Sequence, residues 1–247
     1  PEPAPELAAS IVSRLAEIDG RAEAYRCEPA DPSVRPHGIA RVAGACFDPP
    51  DAKRPSGSPG SAGALPAPQL CARFIRAAEQ PQHWMIAALT AITRPDFVIG
   101  LIEEAPPRRF AAMPLDRSAR GEVEHTGHAE NAENADRQDQ WSIRMLLEGL
   151  SVETPDRSKL VRAIEAVAAI TAHAPLARRP GLLAFLAWAW WMRGLQSVAF
   201  RLVGEALDLD PGHETSRMVE RLIETPPAWL RVGIPGFSEP VSAGPQR

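Results

Sequence analysis

The chain has 247 residues, of which 45% are hydrophobic and 23% charged, an ordinary balance for one large or two modest folded domains. A formal net charge of −4 supplies no bulk attraction to nucleic acid or to anionic lipid. The longest apolar run, Leu182 to Met192, sits between Arg178, Arg179 and Arg193 and falls well short of the roughly 20 residues a membrane-spanning helix requires.

Taken in chain order, Leu7, Ile11, Leu15 and Ile18 recur at helical spacing, with Ser13, Arg14 and Glu17 between them. Residues 5–25 therefore read as an amphipathic helix, and 1–26 as an N-terminal helical segment. The opening PEPAPELAAS has no basic start and no apolar h-region, so no secretory signal is read there. Twelve of the 26 prolines fall in residues 1–70, and turn residues dominate from Cys27 to Pro68. Residues 27–66 accordingly read as a Pro/Gly-rich irregular segment or linker, with a short strand over Ile39–Phe47.

Residues 67–230 read as a helical domain. A helix over 67–80 carries Leu70, Phe74 and Ala78 on one face, and Pro81 opens a second helix with Trp84, Met85, Leu89 and Ile92 apolar. Pro95-Asp96 suits the first turn of a third, which carries Phe97, Leu101 and Ile102 and ends before Pro106-Pro107. Residues 114–139 hold seven acidic and three basic side chains and almost no large apolar one, the composition of a mobile acidic loop. Helices are predicted again at about 138–149, 157–173, 180–193, 196–208 and 214–225, and residues 231–247 read as a disordered tail. The fold class is all-α: an irregular helical array with long Pro/Gly-rich loops.

One segment has the pattern of a known unit. Over residues 180–213, Leu183, Leu186, Ala187 and Trp190 occupy packing positions of a first helix, and Gly194 sits at a turn. Ala199, Val203 and Ala206 occupy a second helix, and Pro211 closes the unit. This block resembles a tetratricopeptide repeat, in which small residues let two antiparallel helices approach closely. The opposite face of the first helix would carry Gly181, Ala184, Trp188, Trp191 and Met192. An open groove lined by Ala184, Trp188, Trp191 and Met192 would take an apolar or aromatic partner segment, with large rigid rings as anchors. The competing expectation is that other helices of the chain cover that face.

A broader resemblance covers roughly residues 82–230. Ala174-Pro175, Arg179 to Leu183, Trp188-Ala189-Trp190, Asp208 to Gly212 and Pro226-Pro227-Ala228-Trp229 are similar to the C-terminal part of an actinobacterial domain-of-unknown-function family, number 4192. The family implies a helical fold and a host class, and no activity. Its hydrophobic N-terminal half has no counterpart in residues 1–66.

Catalytic signatures are missing: no GxSxG, GxxxxGK[ST], GxGxxG or HExxH occurs, so no cofactor and no catalytic residue is assigned. His125 and His128, with Glu122, Glu124 and Glu130, have metal-ligand chemistry but lie in the acidic loop, where nothing holds them in a fixed frame; no metal is assigned. Arg108-Arg109 and Arg178-Arg179 read as helix-terminal charges, and nucleic-acid binding is not expected. Abundant Arg against two Lys, Lys53 and Lys159, reflects codon usage more than phosphate binding. Three cysteines, Cys27, Cys46 and Cys71, without CxxC spacing suit a reducing cytoplasm.

Three functions remain open on the sequence. The first is an intracellular helical-repeat module that binds another protein or itself through an apolar groove. The second is a small-molecule binder or enzyme with a pocket between residues 67–105 and the C-terminal helices, lined by His83, Trp84 and Arg94. The third is a nucleic-acid accessory protein.

Overall fold

The computed structural model describes residues 4–24, 36–48, 66–104 and 157–224. Among them are nine α-helices and no strand, so the class is all-α. In chain order they are α1 (Pro5–Ala24), α2 (Pro36–Phe47), α3 (Pro68–Ala78), α4 (Pro81–Ile92), α5 (Pro95–Glu104), α6 (Arg157–His173), α7 (Pro180–Met192), α8 (Gln196–Leu209) and α9 (Glu214–Ile223). A single 3₁₀ turn, Leu176–Arg178, leads into α7. The expected acidic loop at 114–139, the helix at 138–149 and the tail at 231–247 lie outside the described residues, as do Arg108, Arg109, His125 and His128.

Proline sets most of the helix starts. Six of the nine helices begin with it, where its missing N–H would be unpaired in any case and its φ already suits the helix. Gly194 ends the α7–α8 turn with φ 82°, a left-handed conformation that only glycine adopts without a Cβ penalty. The chain then folds back, and α8 packs along α7 as a hairpin with Ala187, Ala199 and Ala206 all fully buried. α8 stops at Leu209, and Asp210 turns the chain by accepting the Gly212 amide at 2.9 Å.

Two expectations are corrected here. Residues 39–47 are not a strand but most of helix α2, and 27–66 is therefore not wholly irregular. The reason is legible afterwards: Ile39, Ala40, Ala43, Cys46 and Phe47, all buried, follow helical spacing. Arg41 is the only charged residue in that run, so a period of two and a period of 3.6 could not be told apart there. α2 also belongs with the rest, since its buried side chains join one continuous core with α1 and with α3 to α9.

The centre of that core is aromatic. Phe185 of α7 touches Phe47 (α2) at 5.8 Å, Phe74 (α3) at 5.8 Å, Trp84 (α4) at 6.3 Å and Trp188 at 5.6 Å between ring centroids. Trp84 and Trp188 complete the cluster at 6.0 Å, with their planes crossed at 75°. Edge-to-face geometry sets the positive rim of one ring against the negative face of the next.

Candidate functional site

The four residues expected to line a groove are all interior. Ala184, Trp188 and Trp191 are fully buried and Met192 is nearly so. Helices α3, α4, α6, α8 and α9 all pack against α7, and every residue from Pro180 to Met192 except Trp190 is buried. The groove reading is thus corrected: this face is closed by the chain's own helices. Trp190, expected on the packing face, does pack against the core, though only in part. It is the one partly exposed ring of α7, and the Arg193 guanidinium lies 4.9 Å from its centroid, a cation–π contact at the surface.

The trio His83, Trp84 and Arg94 does not converge. Trp84 faces the aromatic core, whereas Arg94 follows the far end of α4. His83 is half-buried, and burial, aided by the nearby Arg76 cation, lowers its pKa below the usual imidazole value.

What the fold does assemble, and no sequence pattern indicated, is a ring of charges where α1 and α3 meet the turn before α7. Arg178 donates to Asp19 at 2.6 Å and to Glu79, while Arg76 donates to Glu79 and stands 3.6 Å from Asp19. The four side chains are between a sixth and two-fifths exposed, so solvent screens each pair to about 1 kcal/mol or less. Their consequence is orientation: three separate elements are pinned at one junction. Arg179 serves differently, donating to the Ala174 carbonyl at 3.0 Å and to that of Ala172 at 3.4 Å. It caps the C-terminal end of α6, in line with the expected helix-terminal role.

Beside this ring lies the start of α9. His213 is its N-cap: the Nδ1 atom accepts the Ser216 amide at 3.2 Å and meets the Ser216 hydroxyl at 2.7 Å. Ser216 in turn reaches the Pro180 carbonyl at the start of α7 at 3.4 Å. Burial lowers the His213 pKa despite the opposing carboxylates of Asp210, Glu79 and Glu214. An imidazole that is harder to protonate in the fold binds fewer protons than its unfolded counterpart below about pH 6.5. Stability is then fully present above that value and is lost as the pH falls towards the folded pKa. The same sign holds for His83. We expect the melting temperature to fall between about pH 7.5 and 5.5, and His213→Asn, which caps without titrating, to flatten that slope. Identical slopes in both proteins would remove His213 as the cause.

A second polar feature is Lys159, which is buried at the start of α6. Its ammonium donates to the Thr93 carbonyl at the end of α4 and lies 4.0 Å from Asp48, which follows α2. Arg162 holds the same Asp48 at 2.6 Å. A cation facing the carbonyl end of a helix is electrostatically well placed, and Lys159 so ties α2, α4 and α6 together.

Cys46 and Cys71 are buried free thiols. Burial pushes both up, Cys71 to about 11 and Cys46 further, with Cys71 adding to the rise at Cys46. Because the thiolate is the nucleophile, a disulfide reagent should label neither residue in the folded protein and both in urea. Peptide mass analysis after a short exposure checks this, and rapid native labelling of either would contradict the burial.

Among the described residues, no group of three or more His, Cys, Asp or Glu side chains is placed to hold a metal ion. Nor is any described helix long and apolar enough to cross a membrane. Among the described residues the exposed large apolar side chains are Leu176 before α7, Val12 on α1, and Leu195, Phe200 and Leu209 on α8 and its flanks, the last three 44, 43 and 41% exposed. No family model matches the chain, and neither a curated protein nor a solved structure shows significant similarity to it.

Proposed function

We propose that this chain is a helical-repeat interaction module of the cytoplasm, binding another protein or a second copy of itself. The observation that carries the reading is the state of α8. Helices α7 and α9 pack against it, and Leu195, Phe200 and Leu209 each remain more than two-fifths exposed. Repeat units bury one face on a neighbour and leave another for partners. The tetratricopeptide-like pattern over 180–213 supports the same reading, and two buried free cysteines suit a reducing compartment. The binding surface moves, however, from the closed Trp188/Trp191 face to the outer side of the hairpin.

A photo-crosslinking residue placed at Phe200 tests this, with exposed Ala16 of α1 as the control position. A discrete crosslinked species from position 200 in the native host, and none from position 16, is the expected result. If positions 195, 200 and 209 all fail to give a specific adduct, the module reading falls.

A further inference from the structure

We propose that His213 and Ser216 form a proton-operated latch: the neutral imidazole holds the first turn of α9 closed against α7, and its protonation opens that turn while the rest of the fold stands.

Three distances define the latch. His213 Nδ1 lies 3.2 Å from the Ser216 amide nitrogen and 2.7 Å from the Ser216 hydroxyl oxygen, and that hydroxyl lies 3.4 Å from the Pro180 carbonyl at the start of α7. A backbone N–H only donates, so Nδ1 must keep its lone pair to cap it, and the neutral ring carries its proton on Nε2. Protonation puts a hydrogen on Nδ1 as well. The cap on the Ser216 amide is then lost. The new N–H finds an acceptor in the Ser216 hydroxyl, whose own hydrogen points on to the Pro180 carbonyl. This exchange leaves an amide of a fully buried residue without an acceptor and sets a cation at the positive end of α9. Both costs fall on the first turn.

The surroundings decide which part gives way. On its own stretch of chain His213 has Asp210 and Glu214, and α3 is followed by Glu79, which Arg76 and Arg178 already hold. Of the helices packed on α9, α7 has no charged side chain, α4 has only His83, near Arg76, and α8 carries Arg201, Glu205 and Asp208. The three carboxylates attract the imidazolium, yet burial outweighs them and keeps the ring harder to protonate than in water. Opening the turn returns the ring to water and lifts that penalty. It also frees Thr215, which is fully buried with its hydroxyl unpartnered among the described residues, so little holds the turn down once the cap is gone. Farther along, Met218, Val219, Leu222 and Ile223 are buried, and Gln196 donates to the Ile223 carbonyl at 2.7 Å. Those contacts keep the remainder of α9 in place.

Amide hydrogen exchange of the full chain, followed residue by residue by NMR from about pH 7.5 to 5 and corrected for the intrinsic rate, gives the test. We expect protection of the Ser216 amide to be constant above about pH 7 and to fall about fivefold by about pH 5.5, since one proton allows at most about tenfold per pH unit below about 6.5. Buried amides of α6 should keep their protection over the same range. In His213→Asn, whose side chain caps without titrating, Ser216 protection should not depend on pH. Nitrogen chemical shifts of the parent protein at neutral pH should give the Nε2–H tautomer of His213. Protection at Ser216 that ignores pH overturns the proposal, as does a loss shared equally by α6 or one that survives in His213→Asn. A neutral His213 ring protonated on Nδ1 overturns it whatever the variant does.

Discussion

Replacing Gly181 with alanine is expected to destabilise the protein by about 3 kcal/mol or more, whereas the same change at Gly204 should stabilise it by about 0.5–1 kcal/mol. At Gly181 a Cβ would stand 2.1 Å from the Ala78 carbonyl oxygen and 2.7 Å from its carbon. Those are backbone atoms at the end of α3, with no flexible side chain to swing aside. Either α7 must move off α3 or the end of α3 must distort, and α7 lies at the middle of the core. At Gly204, inside α8, nothing stands within 4 Å of the same atom. Alanine there meets open space and removes backbone freedom from the unfolded chain, which favours the helix. Urea unfolding of the two variants beside the parent decides the matter, and equal midpoints for both would refute the close approach.

The second large effect is Phe185→Ala, expected to cost about 3–5 kcal/mol. Its ring is fully buried and touches four other rings contributed by α2, α3, α4 and α7. Truncation leaves a void that helices held from several directions cannot close, so the lost transfer energy and the cavity act together. Trp188→Ala should fall in the same range. A loss of partner binding on that substitution would therefore report unfolding. Both variants should shift the urea midpoint with little change in slope, because the surface exposed on unfolding stays nearly the same. A Phe185→Ala midpoint within about 0.5 kcal/mol of the parent would place that ring outside the folding core.

Several elements were legible from residue order because local chemistry fixes them. Pro81, Pro95 and Pro180 each open a helix at the expected residue, and the range predicted for α6 is the range observed. Gly194 ends α7 in the left-handed conformation its position demands. Ile11 and Leu15 of α1 point inward as their spacing requires. In each case a steric rule or a period of 3.6 acts within a few residues.

α7 shows where that reasoning stops. Its thirteen residues, PGLLAFLAWAWWM, contain no polar side chain, so periodicity gives them no direction. The repeat pattern could order the positions, but only the packing of α3, α4, α6, α8 and α9 decided that Trp188 and Trp191 are interior and that Trp190 meets solvent.

The sequence by itself determined an all-α chain, most helix starts in the described residues and the turn between α7 and α8, since backbone sterics and side-chain spacing act locally. Tertiary structure alone decided the covered side of α7, the helical state of residues 39–47 and the joining of Asp19, Arg76, Glu79 and Arg178. Those outcomes depend on contacts between residues up to 159 positions apart, and no local rule carries information over that distance.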